Sequence, residues 1–204
     1  MSLQPDHLVI CVADLGEANV EFVDRFGLGS VPGGRHSGHG TENRIVPLGD
    51  SYIEMVAVVD ASEAAFSQFG SWVQSKVAGP TGVDAVCLRT DDIVATSQRL
   101  EIEAVAMSRA KPDGATLAWR VAGIEQMIAE GLPFFIEWEG PEESLHGRTP
   151  IHHQAGSVGL DSVEVVGPLQ RLQTWMTGAR GVSIASGPPN IRAVVSSSQG
   201  PIQI

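Results

Sequence analysis

One stretch near the start of the chain, Asp6-His7-Leu8-Val9-Ile10-Cys11-Val12-Ala13-Asp14, is echoed later by Asp84-Ala85-Val86-Cys87-Leu88-Arg89-Thr90-Asp91-Asp92. With Asp6 laid on Asp84, Asp14 falls on Asp92, and each is followed by a branched apolar residue and a helical pattern. A unit repeated at this spacing cannot cover its own sheet and must pair with another copy. His7 breaks the repeat, because Ala85 stands at its place.

The rest of the pattern extends the repeat. Residues 6–14 predict a strand, and residues 15–26 a helix with Ala18, Phe22, Val23 and Phe26 at helical spacing and Asp14 as its cap. The glycine-rich run 33–40 predicts a long hairpin or cavity loop, and strands follow at 43–48 and 51–59 around Gly49-Asp50. A connecting helix over 62–77 ends at Gly79-Pro80-Thr81-Gly82. The second unit predicts a strand to Arg89, a helix over 93–103, and strands near Val105, at 117–121 and at 133–139. Pro112-Asp113-Gly114 is its hairpin turn, and a helical piece covers 124–130. Residues 141–156 read as a linker or covering loop, and 157–204 as a shorter βαββ unit with a strand at 157–166, a helix at 168–176 and strands at 182–185 and 191–197. The expected fold is α+β: paired βαβββ modules at 1–60 and 82–140 with curved mixed sheets enclosing a cavity, a linking helix at 61–81, and a partial third module at 157–204.

Composition excludes some partners. A net charge of −11 over 204 residues leaves no basic patch for nucleic acid. There is no apolar run of spanning length and no basic-then-apolar leader pattern, so a cytoplasmic protein without membrane attachment is expected. Cys11 and Cys87 sit in strand patterns and read as free thiols. The incomplete third module could borrow a strand from a second chain, so a homodimer is expected.

Strand alternation assigns faces. His7, Val9 and Cys11 share one face, and Leu8, Ile10 and Val12 the other; Tyr52, Glu54 and Val56 oppose Ile53 and Met55. In 133–139, Phe134, Ile136 and Trp138 read as the apolar face, with Trp138 and Trp119 under the helices, while Phe135, Glu137 and Glu139 point the other way. Glu54 lies in a strand otherwise apolar on both faces, where a carboxylate needs a cation or donors to meet it. With Glu137 taken as its repeat equivalent, His7, Glu54 and Glu137 could converge on a divalent metal. For each alone the plainer reading is a hydrogen-bonded histidine or a solvated glutamate; their matched placement favours a site. Arg109 and Arg120, with Arg35, Arg44 and Asn43, could clamp a substrate carboxylate or phosphate, or the arginines could pair with the abundant acids.

Several motifs carry a family resemblance: Asp6-His7-Leu8-Val9, Pro32-Gly33-Gly34-Arg35-His36, Thr41-Glu42-Asn43, Pro47-Leu48-Gly49-Asp50, Tyr52-Ile53-Glu54, Met107-Ser108-Arg109, Lys111-Pro112-Asp113-Gly114 and Leu132-Pro133-Phe134-Phe135-Ile136-Glu137-Trp138. With the paired modules, these resemble the glyoxalase-like domain proteins of the vicinal oxygen chelate superfamily, which includes glyoxalase I, bleomycin-resistance proteins and extradiol dioxygenases. The resemblance implies metal ligands from the first and fourth strands of each unit, mapping to His7, Glu54, Ala85 and Glu137. Ala85 cannot ligate, so either three ligands remain, with His36, His39, His152 or His153 as loop replacements, or the metal has been lost and the cavity only binds. The implied activity is that of a lyase or isomerase using Mn, Ni, Zn, Fe or Mg on a small oxygenated, anionic metabolite. Glu54 or Glu137 would be the base, with Arg35, His36, Asn43, Arg109 and Arg120 around the substrate. The alternatives are a non-catalytic protein that sequesters a small molecule, and an extradiol dioxygenase, for which one histidine at a matching position is too few.

Overall fold

The computed structural model describes residues 2–79, 82–110, 116–140 and 145–204, with Arg109 and Ala110 described in their backbone alone. The first module runs β1 (Leu3–Cys11), α1 (Leu15–Phe26), β2 (Val31–His36), β3 (Thr41–Pro47) and β4 (Tyr52–Val58). Two short helices follow, α2 (Ala61–Ala64) and α3 (Gln68–Val77). The second module runs β5 (Ala85–Thr90), α4 (Ile93–Leu100), β6 (Ala104–Ala110), β7 (Thr116–Ala122), α5 (Ile124–Glu130) and β8 (Phe134–Glu139). The third comprises β9 (Val158–Gly167), α6 (Leu169–Trp175), β10 (Val182–Ser186), β11 (Asn190–Ser197) and β12 (Ile202–Gln203). The expected Pro112-Asp113-Gly114 turn lies outside the described residues.

The repeated aspartates act as helix caps. Asp14 accepts from the Gly16 and Glu17 amides at 2.8 Å each, and Asp92 from Ala95 at 2.9 Å. Three elements differ from expectation. The single helix predicted over 62–77 is two, because Asp60 caps α2 and Ser67 caps α3 separately. The helix predicted to reach residue 103 stops at Leu100, where Glu101 turns left-handed at φ 56°. The glycine-rich stretch is strand up to His36, and Gly33 is required there because a Cβ would collide with the Asn43 side-chain oxygen.

The two modules form one eight-stranded mixed sheet ordered β2-β3-β4-β1-β5-β8-β7-β6. β1 lies parallel to β4 and antiparallel to β5, and β5 lies parallel to β8. The outer face presents Leu8, Ile10, Ile53, Met55, Leu88 and Phe135 to one core that includes Phe22 of α1 and Ile93 of α4. The inner face presents Val9, Cys11, Val56, Cys87, Phe134 and Ile136 to Trp72 and Val73 of the linking helix α3 and to Met127 of α5. Trp119 and Trp138, expected beneath the module helices, instead pack against this inner cluster with rings 5.6 Å apart. Cys11 and Cys87 are free and buried, and burial pushes both thiols up.

The third module covers the outer face of its own chain. Its sheet, ordered β10-β9-β11-β12, contributes Val163, Val165 and Val195 to the outer core. Trp175 of α6 stacks 5.7 Å from Phe135 and donates its indole N–H to the Pro133 carbonyl at 2.7 Å. No helix among the described residues is long and apolar enough to cross a membrane.

Residues 145–156 return along the first module, and His153 is their buried anchor. Its Nδ1 accepts from the Gly29 amide at 3.1 Å while Nε2 donates to the Pro47 carbonyl at 2.9 Å, which fixes the neutral tautomer. Burial, with His152 nearby and despite the Pro47 bond, holds this imidazole below its ordinary 6.5. The unfolded chain therefore takes up a proton first as pH falls through about 6.5, and folded stability declines from there toward the lower folded value. His153→Gln should show a shallower fall in Tm between about pH 7 and about pH 5 than the wild type; parallel curves would show that His153 does not set this dependence.

Candidate metal centre

A single irregularity in β1 builds the site. Pro5 pairs with Leu88 and His7 with Cys87, so Asp6 is an extra residue on β1, a bulge in an otherwise regular antiparallel pair. Pro5 explains its position, since a proline has no N–H for the ladder and is tolerated inside a sheet at a bulge. The bulge allows Asp6 and His7 to meet on the inner face. His7 Nδ1 donates to Asp6 Oδ1 at 2.7 Å, and the Trp138 indole N–H donates to Asp6 Oδ2 at 3.0 Å. The His7 ring stacks on Tyr52 at 4.5 Å and meets the edge of Phe134 at 5.5 Å. Held on three sides, it brings Nε2 to 3.5 Å from Glu54 Oε2.

Glu54 is buried on β4 and receives polar partners on both oxygens. The Asn43 amide donates to Oε1 at 2.6 Å, and His36 Nε2 lies 3.5 Å from the same oxygen. Asn43 is oriented by the Gly34 N–H, which donates to its carbonyl oxygen at 2.7 Å, and His36 Nδ1 is bonded to Thr41 Oγ1 at 3.0 Å. Burial by itself raises the Glu54 carboxyl, but His36, His7, the Asn43 amide and His146 together hold it below the usual carboxylate range. Glu54 is therefore a buried anion at neutral pH. His146 comes from a short 3-10 turn (His146–Arg148), with its ring 5.5 Å from both Tyr52 and Trp138. That turn is latched to the β3–β4 connection by the Gly49 amide on the Gly147 carbonyl and by Arg148 on Asp50 at 2.8 Å.

Of the residues singled out in the sequence, the structure brings His7, Glu54, His36 and Asn43 together. Glu137 is not among them. It shares the outer-facing parity of Phe135 and lies 2.8 Å from Arg120, so that pair faces away from His7. The register explains the difference. Glu54 sits opposite Val9, whose repeat counterpart Cys87 sits opposite Phe134, so Phe134 and not Glu137 holds the equivalent place in the second module. Ala85, the counterpart of His7, is buried on the inner face. Arg35 ties the exposed β2–β3 hairpin to α2 through Glu63 at 2.7 Å and Asp60 at 3.3 Å. Arg44 bonds Ser30, His39 bonds Ser67, and the Arg109 side chain lies outside the described residues. Asp6, Thr41, Tyr52, Trp138 and His146 complete the surroundings without having been singled out for them. The Pro-Asp-His tripeptide was a signal for the first of these; the others follow from strand pairing.

The donor chemistry fits a divalent metal. Two imidazoles turn Nε2 toward one ionised carboxylate, and each has its Nδ1 occupied by an oxygen partner, as in metal-binding histidines, where the second ring nitrogen is held by an outer group. A second grouping, Asp6, His7 and Cys87, has ligand atoms within 4.8 Å of one another. In this second set His7 Nδ1 is already bonded to Asp6, so a metal there would have to displace that bond.

Comparison with known proteins places the fold and the family. A hypothetical protein from Staphylococcus aureus superposes with a TM-score of 0.65 over 97% of this chain and 92% of that one at 17% identity, which shows a shared fold. The methylmalonyl-CoA epimerase of Mycobacterium tuberculosis is 21% identical over 68% of this chain and 89% of that one, with a TM-score of 0.48. A Streptomyces coelicolor methylmalonyl-CoA epimerase variant in complex with 2-nitronate-propionyl-CoA is 16% identical over 69% of this chain and 100% of that one, with a TM-score of 0.49. No curated protein matches the sequence. Residues 6–179 match the glyoxalase-like domain, and the chain belongs to that family.

Proposed function

We propose that this protein is a divalent-metal-dependent lyase or isomerase acting on a small oxygenated, anionic metabolite, with His7, His36 and Glu54 as its protein ligands. The observation that carries this reading is the approach of two anchored imidazoles to the two oxygens of one buried carboxylate. When bound, a metal such as Mn, Ni, Zn, Fe or Mg supplies Lewis acidity to adjacent substrate oxygens and stabilises the negative charge that develops on them. The chain's own groups do the rest. Asp6 fixes the His7 tautomer and ring orientation. Asn43 donates to Oε1 of Glu54 and helps keep this carboxylate ionised, as its role as a ligand or as a base requires. Tyr52, Phe134 and Trp138 exclude water from the buried side, where a low dielectric strengthens each charge interaction.

Elemental analysis tests this reading. Wild-type protein should carry about one divalent ion per chain, and His7→Ala, His36→Ala and Glu54→Gln should each lose it. Asp6→Asn should retain the site with affinity weakened about 10–100-fold. Wild-type protein that holds no ion and gains none on incubation with these metals would refute the assignment.

The same donor set favours one further reading. Two histidines and one carboxylate form the facial arrangement of non-haem Fe(II) oxygenases, and His36 supplies the second histidine that the repeat positions lack. An extradiol dioxygenase predicts Fe(II)-dependent oxygen consumption with catechols, abolished by His36→Ala. No oxygen uptake by iron-loaded wild-type protein removes this reading.

A further inference from the structure

At the foot of β1, on the other side of Asp6 from the metal centre, a cleft of about 240 Å³ opens between the large sheet and the third module. We propose that it binds a small oxyanion, a carboxylate or phosphate group, between Arg89 and Arg180.

Acidic residues outnumber basic ones 24 to 13 in this chain, and Arg35, Arg120, Arg148, Arg171 and Arg192 each hold a carboxylate. Arg44 and Arg99 hold neutral oxygens instead, on Ser30 and on the Thr174 and Trp175 carbonyls; Arg89 and Arg180 both line this one cleft, Arg89 with a single carboxylate at the limit of an ion pair and Arg180 with none. Arg180 makes no side-chain hydrogen bond or ion pair among the described residues. The Arg89 side chain is 18% exposed, and its one ion-pair partner, Asp6, stands 4.0 Å from Nε, beyond hydrogen-bond reach. Gln4, with its amide oxygen turned toward Arg89, takes Nη2 at 2.7 Å and Nε at 3.3 Å. Nη1 is then left without a partner among the described residues. A half-buried guanidinium with a donor to spare is a receptor for an oxyanion.

Asp6 offsets part of the Arg89 charge, but neither acid that lines the cleft pairs with Arg89 or Arg180 among the described residues. Asp50 is taken by Arg148, whose Nε and Nη2 donate to its Oδ1 at 3.1 and 2.8 Å. Asp161 remains, and it lowers affinity for any anion that enters. The backbone of Arg180 is fixed to β1, since its amide donates to the Leu3 carbonyl at 2.8 Å, so the third module delivers this arginine to a defined place. The volume is below that of ordinary drug-sized pockets, roughly 300–1,000 Å³, which restricts the ligand to a compact group.

Isothermal titration at low ionic strength tests the site on chelator-treated, metal-free protein, so that no ion at His7 contributes. Inorganic phosphate in one arm and acetate in the other separate a phosphoryl from a carboxylate preference. Wild-type protein should bind at least one of them with Kd about 1 mM. Arg89→Gln and Arg180→Gln should each weaken that binding about tenfold, while Asp161→Asn should tighten it. This opposite sign separates the site from a general loss of structure, and unchanged Tm values confirm that the variants are folded. Binding of neither ion by the wild type, or equal binding by all four proteins, would overturn the proposal.

Discussion

The pairing of β1 with β4 on one side and β5 on the other organises both the fold and the site. The antiparallel β1–β5 seam fuses two modules into one sheet, and the parallel β1–β4 pair sets His7 near Glu54. The ladder is interrupted between Pro5 and His7, and the extra residue is Asp6. A regular strand would send Asp6 and His7 to opposite faces; the bulge brings the carboxylate to the ring it orients. The second copy of the aspartate does other work: Asp84 accepts from the Cys11 amide at 2.9 Å. The repeat therefore supplies the frame, and one departure from it builds the candidate site.

Glu54 determines what that departure can do. A carboxylate buried among apolar strands loses its hydration, and only partners on both oxygens keep it ionised. Here they come from four separate elements: β1 through His7, β2 through His36, β3 through Asn43, and the returning turn through His146. The Arg35–Glu63 clamp acts at one remove, because it holds the hairpin that carries His36. The third module acts on the outer face, where Trp175 seats against Phe135 and covers the sheet whose inner face carries the site. A module that reads as incomplete in isolation is thus accommodated within its own chain.

Much of this was legible in the sequence. The repeat of Asp6–Asp14 in Asp84–Asp92 gave the paired modules, and alternation put His7 and Glu54 on one face with Leu8 and Ile53 on the other. Helix caps at Asp14 and Asp92 were likewise readable from residue type and place. Two features were not. Periodicity carries no sign of strand register, so Glu137, the carboxylate nearest in sequence pattern, stood in for a position that Phe134 occupies. Glycine content left 33–40 open between a long hairpin and a cavity loop; the structure has the hairpin, with Gly33 in a strand packed against Asn43 that carries the chain on to His36. Both gaps have one cause. They concern contacts between strands, and local propensity reports only on the chain next to itself.

The proposed centre has His7 and His36 binding a metal through Nε2 beside Glu54. Long-range proton–nitrogen correlation spectra of the imidazole rings during a zinc titration test it most directly. The account predicts that the Nε2 resonances of both histidines shift together and reach an endpoint at about one equivalent, while His7 Nδ1 stays protonated and bonded to Asp6. A shift at His7 Nδ1 with loss of the Cys87 thiol proton would place the metal in the other grouping, and silence at both rings would contradict the account altogether.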